Sequence, residues 1–157
     1  MLKKLIIMII ILLSVQVYAQ NKPIQIALFA PVQIFSEEYA ITGVRWNILY
    51  GKNSSVTGLD FGLVNRTTEK KSVGVQFGIL GFADRGWTGL QSNTVNVTHN
   101  EFKGVQFGLL NYVEDANGVM IGVINYARRL YGLQIGLFNL IEQGGVAPVL
   151  PIVNWAF

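Results

Sequence analysis

The strongest constraint on this chain is an eight-residue pattern, Gly-Leu/Val-Gln-Ile/Phe-Gly-Leu/Ile/Val-x-Asn, that returns at nearly constant intervals. Six segments align without gaps, beginning at Gly58, Gly74, Gly89, Gly104, Gly118 and Gly132. Their first glycines stand 16, 15, 15, 14 and 14 residues apart. Gly43-Val-Arg-Trp-Asn-Ile-Leu-Tyr50 supplies a seventh unit 15 residues earlier. Self-similarity at so short a period means one structural unit laid against copies of itself.

Each unit alternates with period two. In Gly104–Asn111, Val105, Phe107 and Leu109 fall on one side, and Gly104, Gln106 and Gly108 on the other. That is the side-chain period of a β-strand. Repeated glycine and β-branched residues, with no 3.6-residue apolar stripe, disfavour helix. Connectors such as Arg66–Ser72 and Glu114–Asn117 are short and polar, as turns are. The chain is therefore expected to be all-β, and the simplest topology is an antiparallel meander of short repeated strands.

Such a meander closes most simply into a small up-and-down barrel. Lipid would cover the Val/Phe/Leu face, and the opposite face would line a narrow lumen. A β-solenoid with one coil per repeat, in which equivalent residues stack as ladders, or a curved soluble sheet, is the alternative. The tail Pro151-Ile-Val-Asn-Trp-Ala-Phe157 ends on an aromatic. It resembles the closing strand of bacterial outer-membrane barrels, which places a closing strand at 148–157. Against closure, Ile24–Ile34, the Gly43 unit, the six repeats and the tail make nine candidate strands, where bacterial barrels usually have an even number. Pro31 interrupts the first of them. The Gly89 unit also sets Ser92, Thr94 and Asn96 on the supposed lipid side.

On the polar side, Arg45 and Asp60 occupy the motif position that Gln76, Gln91, Gln106 and Gln134 hold in later units. In-register pairing would bring Arg45 against Asp60, which a buried charge requires. These six residues are expected to form a structural polar ring inside a lumen. If the lumen were open, the same ring would select a small solute, but barrels this small are usually filled by side chains.

The N-terminus reads as a leader. Lys3 and Lys4 precede the apolar run Leu5–Leu13, and Val17-Tyr18-Ala19 offers a cleavage site, so residues 1–19 are expected to be a cleaved secretory signal peptide. A run of nine is far short of the ~20 apolar residues that a spanning helix needs. Residues 20–157 form a single β-repeat domain. Without Lys3 and Lys4 it carries ten basic and nine acidic residues, so no basic surface for nucleic acid is expected. With no cysteine, disulfides and thiolate metal sites are excluded.

Candidate chemistry is sparse. His99 is the single histidine and stands in the polar connector Thr98-His-Asn-Glu101, where a solvated turn residue is expected rather than a ligand. Glu37–Glu38 and Glu114–Asp115 are adjacent pairs in connectors, whereas acid–base work needs carboxylates held across a cleft. The glycines lack the strand–loop–helix context and the Gly-Lys-Ser/Thr ending of a phosphate loop. No catalytic residue, metal site or cofactor is therefore expected.

The repeat, the opening segment Val44–Asn53 and the closing Pro151-Ile-Val-Asn154 together resemble a family of bacterial surface-repeat proteins with GLQIGLxN-type repeats. The resemblance spans roughly residues 30–157. It implies an envelope or surface location and a repeat architecture, and it carries over neither a catalytic residue nor a ligand. Ser92, Asn93, Met120 and Gly81 depart from the pattern and put strand regularity in doubt at those points. The expected function is that of a non-catalytic cell-envelope or surface protein. Its simplest form is a small outer-membrane barrel with a structural or surface-interaction role and membrane lipid as partner. A soluble secreted or periplasmic β-repeat binding module and a narrow solute channel are the alternatives.

Overall fold

A computed structural model describes residues 21–157, and the expected signal peptide at 1–19 lies outside the described residues. Nine strands follow in chain order: β1 (Asn21–Phe29), β2 (Val32–Gln33), β3 (Ala40–Asn53), β4 (Val56–Thr67), β5 (Ser72–Ala83), β6 (Trp87–Phe107), β7 (Leu110–Ile121), β8 (Ile124–Gln143) and β9 (Val149–Ala156). They form one sheet in the order β2-β1-β3-β4-β5-β6-β7-β8-β9. The Ala30–Pro31 peptide is cis, and Pro31 parts β1 from β2, at the point where the sequence breaks its first strand.

From β1 through β8, leaving β2 aside, each strand pairs in parallel with the next. Motif residues meet their own kind: Gly43 lies opposite Gly58, Gly58 opposite Gly74, Gly104 opposite Gly118, and Gly118 opposite Gly132. Parallel neighbours need a connection that carries the chain back to its starting end. Here the 14–16 residues of one repeat make that circuit, so each repeat is one coil of a β-solenoid of about eight turns.

The expected antiparallel meander and closed barrel are not found. The repeat itself supplies the reason. Parallel in-register stacking lets each side-chain amide bond to its counterpart in the next coil, whereas a hairpin reverses the order and loses that match. The connectors that look like turns are the second half of each coil. The tail closes nothing: β9 pairs antiparallel with β8, setting Asn154 opposite Gln134 and Trp155 opposite Leu133, and covers the last coil. At the other end β2 lies antiparallel to β1, and the Gln25 side chain bonds the Phe35 N–H at 3.0 Å and its carbonyl at 2.7 Å. Both devices shield coil edges that would otherwise offer unpaired backbone.

The alternation of the motif decides sidedness. Counting the first glycine as position one, positions three, five and eight face inward, and positions two, four, six and seven face out. One half of the cross-section holds an apolar cluster in which Trp87 and Phe102 pack with Val113, Leu130 and Ile141 and with intervening alanines. The other half is filled by amides.

The glycine at position one forms a corner in every unit, with φ between +122° and +145°. This region is open to glycine and strained for residues with a Cβ. A Cβ on Gly118 would also lie 2.0 Å from the carbonyl oxygen of Gly104 in the preceding coil. Gly118→Ala is therefore expected to cost about 3 kcal/mol or more of stability. Gly144, at φ +83°, has nothing within 4 Å of a built Cβ, so Gly144→Ala is expected to cost only about 1 kcal/mol. Urea denaturation midpoints of the two variants check the contrast.

Candidate functional site

Position three forms a continuous interior row. Arg45, Asp60, Gln76, Gln91, Gln106, Met120 and Gln134 are all fully buried. Gln106 Nε2 donates to Gln91 Oε1 at 2.8 Å, Gln91 Nε2 to Gln76 Oε1 at 3.0 Å, and Gln76 Nε2 to Asp60 Oδ2 at 2.8 Å. Arg45 completes the row: Nε and Nη2 donate to the two Asp60 oxygens at 2.7 and 2.8 Å, and Nη1 to the Arg66 carbonyl at 2.9 Å. The expected Arg45–Asp60 contact is thus formed, in the bidentate geometry that suits a buried pair. The six polar residues do not ring a lumen. They run as a line along the stack, because parallel coils superpose equivalent positions.

Position eight forms a second row. Asn96 Nδ2 donates to Asn111 Oδ1, Asn111 to Asn125, and Asn125 to Asn139, each at 2.8 Å. The same amides reach the main-chain carbonyls at position four of the next coil, Phe107, Ile121 and Ile135, at 2.9–3.0 Å. Those contacts satisfy carbonyls at the bend where the glycine of position five lets the chain turn. Buried amides are tolerable only when satisfied in this way.

The departures from the motif explain one another. Gly81 stands where an Asn of the second row belongs, and Asn93 stands where the next coil carries glycine elsewhere. Asn93 Nδ2 occupies the vacated space, bonding Gln76 Oε1 at 3.0 Å and Asn96 Oδ1 at 2.7 Å. A Cβ on Gly81 would meet that nitrogen at 2.3 Å. Asn47 and Gly51 repeat the exchange in the first unit, where a Cβ on Gly51 would lie 1.9 Å from the Asn47 amide. Met120 interrupts the glutamine row: Gln134 Nε2 meets the Met120 sulfur at 3.6 Å and donates to the Leu140 carbonyl at 3.2 Å, and Gln106 Oε1 has no hydrogen-bond partner.

The outer surface divides sharply. Positions two, four, six and seven of the seven units contain no Asp, Glu, Lys, Arg or His, and Trp46, Phe107 and Leu109 are 61%, 56% and 59% exposed. Within this face the glycines Gly108, Gly122 and Gly136 floor a groove of about 750 Å³, walled by positions four and six, with Ser92 and Thr94 beside Gly78 at one end and Ile152 at the other.

Charges gather on the far edge of each coil and pair there. Lys71 meets Glu101 at 2.7 Å, Arg66 meets Asp84 at 2.9 Å, Lys52 meets Glu37 at 2.6 Å, and Arg129 bonds Asp115. His99 sits on this edge, 3.2 Å from Glu114. The Asn100 backbone N–H, and after it the His99 ring, hold the Glu114 carboxyl below its usual range. Arg129 does the same for Asp115. Exposed pairs of this kind contribute little stability. Among the described residues, no group of three or more His, Cys, Asp or Glu could hold a metal ion.

No family model, no curated protein and no solved structure matches this chain.

Three substitutions probe the interior. Met120→Gln supplies a donor to Gln106 Oε1 and an acceptor to Gln134, and is expected to stabilise the protein by about 1 kcal/mol in denaturant titration. Gly81→Asn clashes with Asn93, and Asn93→Gly removes a donor from two buried acceptors, so each alone is expected to cost about 2 kcal/mol. Together they restore the common motif, and a double-mutant cycle should show the pair costing well under the sum.

Proposed function

We propose that this chain is an exported, non-catalytic cell-envelope protein that acts as an interaction module, with its apolar sheet face resting on membrane lipid. One observation carries the proposal. The repeat places amides inside and Val, Phe, Ile and Leu outside over seven consecutive units, and confines the exposed charges to the opposite edge. A soluble protein rarely exposes an apolar patch beyond a few hundred Å² unless the patch meets a partner. Interfacial membrane proteins divide the two kinds of surface in this way, lying in the interface with the apolar face down. The basic and apolar leader at Lys3–Leu13 supports export, and the surface-repeat resemblance of the motif supports an envelope location. Lipid contact here is by one face, as distinct from insertion as a barrel.

The test is sedimentation of the exported chain with phosphatidylcholine vesicles. The protein is expected to pellet with the vesicles. Phe107→Glu combined with Ile121→Glu, which places two charges in the middle of the face without touching the interior rows, is expected to lower binding by at least about tenfold. A protein that stays in the supernatant at every lipid concentration overturns the proposal, and so does an unchanged double variant. The soluble secreted module, the competing reading, predicts the first of those outcomes.

A further inference from the structure

The apolar face carries a groove over its last coils. There the chain bends at Gly108, Gly122 and Gly136, whose absent side chains would run into the interior asparagine row, and the groove described above lies between the outward side chains on either side of the bend. Resting on the lipid-facing reading, we propose that this groove holds one fatty-acyl chain of a membrane lipid, with the acyl ester carbonyl accepting hydrogen bonds from Ser92 and Thr94.

The shape selects an elongated occupant. The floor repeats one glycine per coil, so the groove runs straight along the stack. From the Gly89 unit to β9 it crosses four strand spacings, about 19 Å. One leaflet of a hydrocarbon core about 30 Å thick is about 15 Å deep, so a membrane-lipid chain fits the length. The walls select hydrocarbon. Positions four and six there are Phe107, Ile121, Ile135, Leu109, Val123 and Leu137, which offer no hydrogen bond. An extended peptide in the groove would leave its backbone N–H and C=O groups without partners.

The ends are unlike, and this selects an amphiphile. Ile152 closes one end, 71% exposed. The other end is the Gly89 unit, where Ser92 and Thr94 replace the Phe and Leu that the motif carries at those positions. Among the described residues, neither hydroxyl makes a hydrogen bond. No charged residue lines the groove, so the polar group reaching these hydroxyls is an uncharged acceptor. An ester carbonyl fits, and a free carboxylate would meet no cation.

The test separates this proposal from the wider lipid-facing one. The exported chain is incubated with phosphatidylcholine vesicles and re-isolated in detergent-free buffer, and bound lipid is counted by native mass spectrometry. One lipid per chain is expected, with palmitate anion failing to compete. Ser92→Phe with Thr94→Leu restores the common motif, removes both hydroxyls and fills the polar end, so the coil should fold at least as well, which a melting curve checks. Lipid retention should then fall at least about tenfold, the affinity that two neutral hydrogen bonds supply, while vesicle sedimentation is undiminished.

Wild-type protein that sediments with vesicles but retains no lipid overturns the groove and leaves the lipid-facing reading standing. A variant that still retains lipid also overturns the groove, as does displacement by palmitate. Protein that neither sediments nor retains lipid overturns both readings. So does a lipid-free dimer in sedimentation velocity, which would mean that a second copy covers the face.

Discussion

The structure depends on one contact, the hydrogen bond between the side-chain amides of adjacent coils. A primary amide has a donor and an acceptor on one short head, so identical residues stacked at the strand spacing of about 4.8 Å can each give one bond and take one. The rows Gln106–Gln91–Gln76 and Asn96–Asn111–Asn125–Asn139 do this at 2.8–3.0 Å. Sliding any coil by one residue would turn these amides outward and the Val/Phe/Leu set inward, leaving buried carbonyls unpaired. The amides therefore set the register, the register sets the coil, and the coil leaves the apolar residues nowhere to go but out.

The ion pair at Arg45 and Asp60 belongs to the same logic. Asp60 accepts from the last glutamine of its row as well as from Arg45, so both of its oxygens are hydrogen-bonded. Where the row loses an amide, at Met120, the structure falls back on packing: Met120 joins the apolar cluster and the neighbouring Gln106 oxygen goes unpaired. The interior thus changes character along the stack. In the earlier coils Asn53, Thr67 and Ser72 are buried beside Ile41 and Val56, and from Ala83 onward that side is mostly apolar, with Thr98 among its buried residues.

Much of this was legible in the sequence. The period of two assigned Val105, Phe107 and Leu109 to the outside and Gln106 to the inside, and the shared motif position of Arg45 and Asp60 foretold their contact. The direction of pairing was not legible, because a strand of a hairpin and a strand of a coil show the same alternation and the same spacing. Sidedness then misled: an apolar outside and a polar inside describe a lipid-facing barrel as well as a solenoid packed with amides. The difference lies in whether the polar interior is closed by its own hydrogen bonds, and that depends on which residue stacks on which. For the same reason Gly81 and Asn93 looked like two independent lapses. Only the register shows that one fills the space the other leaves.

The two amide rows also differ in sense. In the glutamine row every Nε2 points toward the N-terminal coils, and in the asparagine row every Nδ2 points toward the C-terminal ones. Each row is a line of aligned dipoles, and hydrogen-bonded lines of this kind polarise along their length. An α-helix sums its dipoles into opposite partial charges at its two ends. Here the two lines oppose each other and their fields largely cancel along the axis. Adding a coil would add one amide to each, so the stack can lengthen without building up charge at its ends.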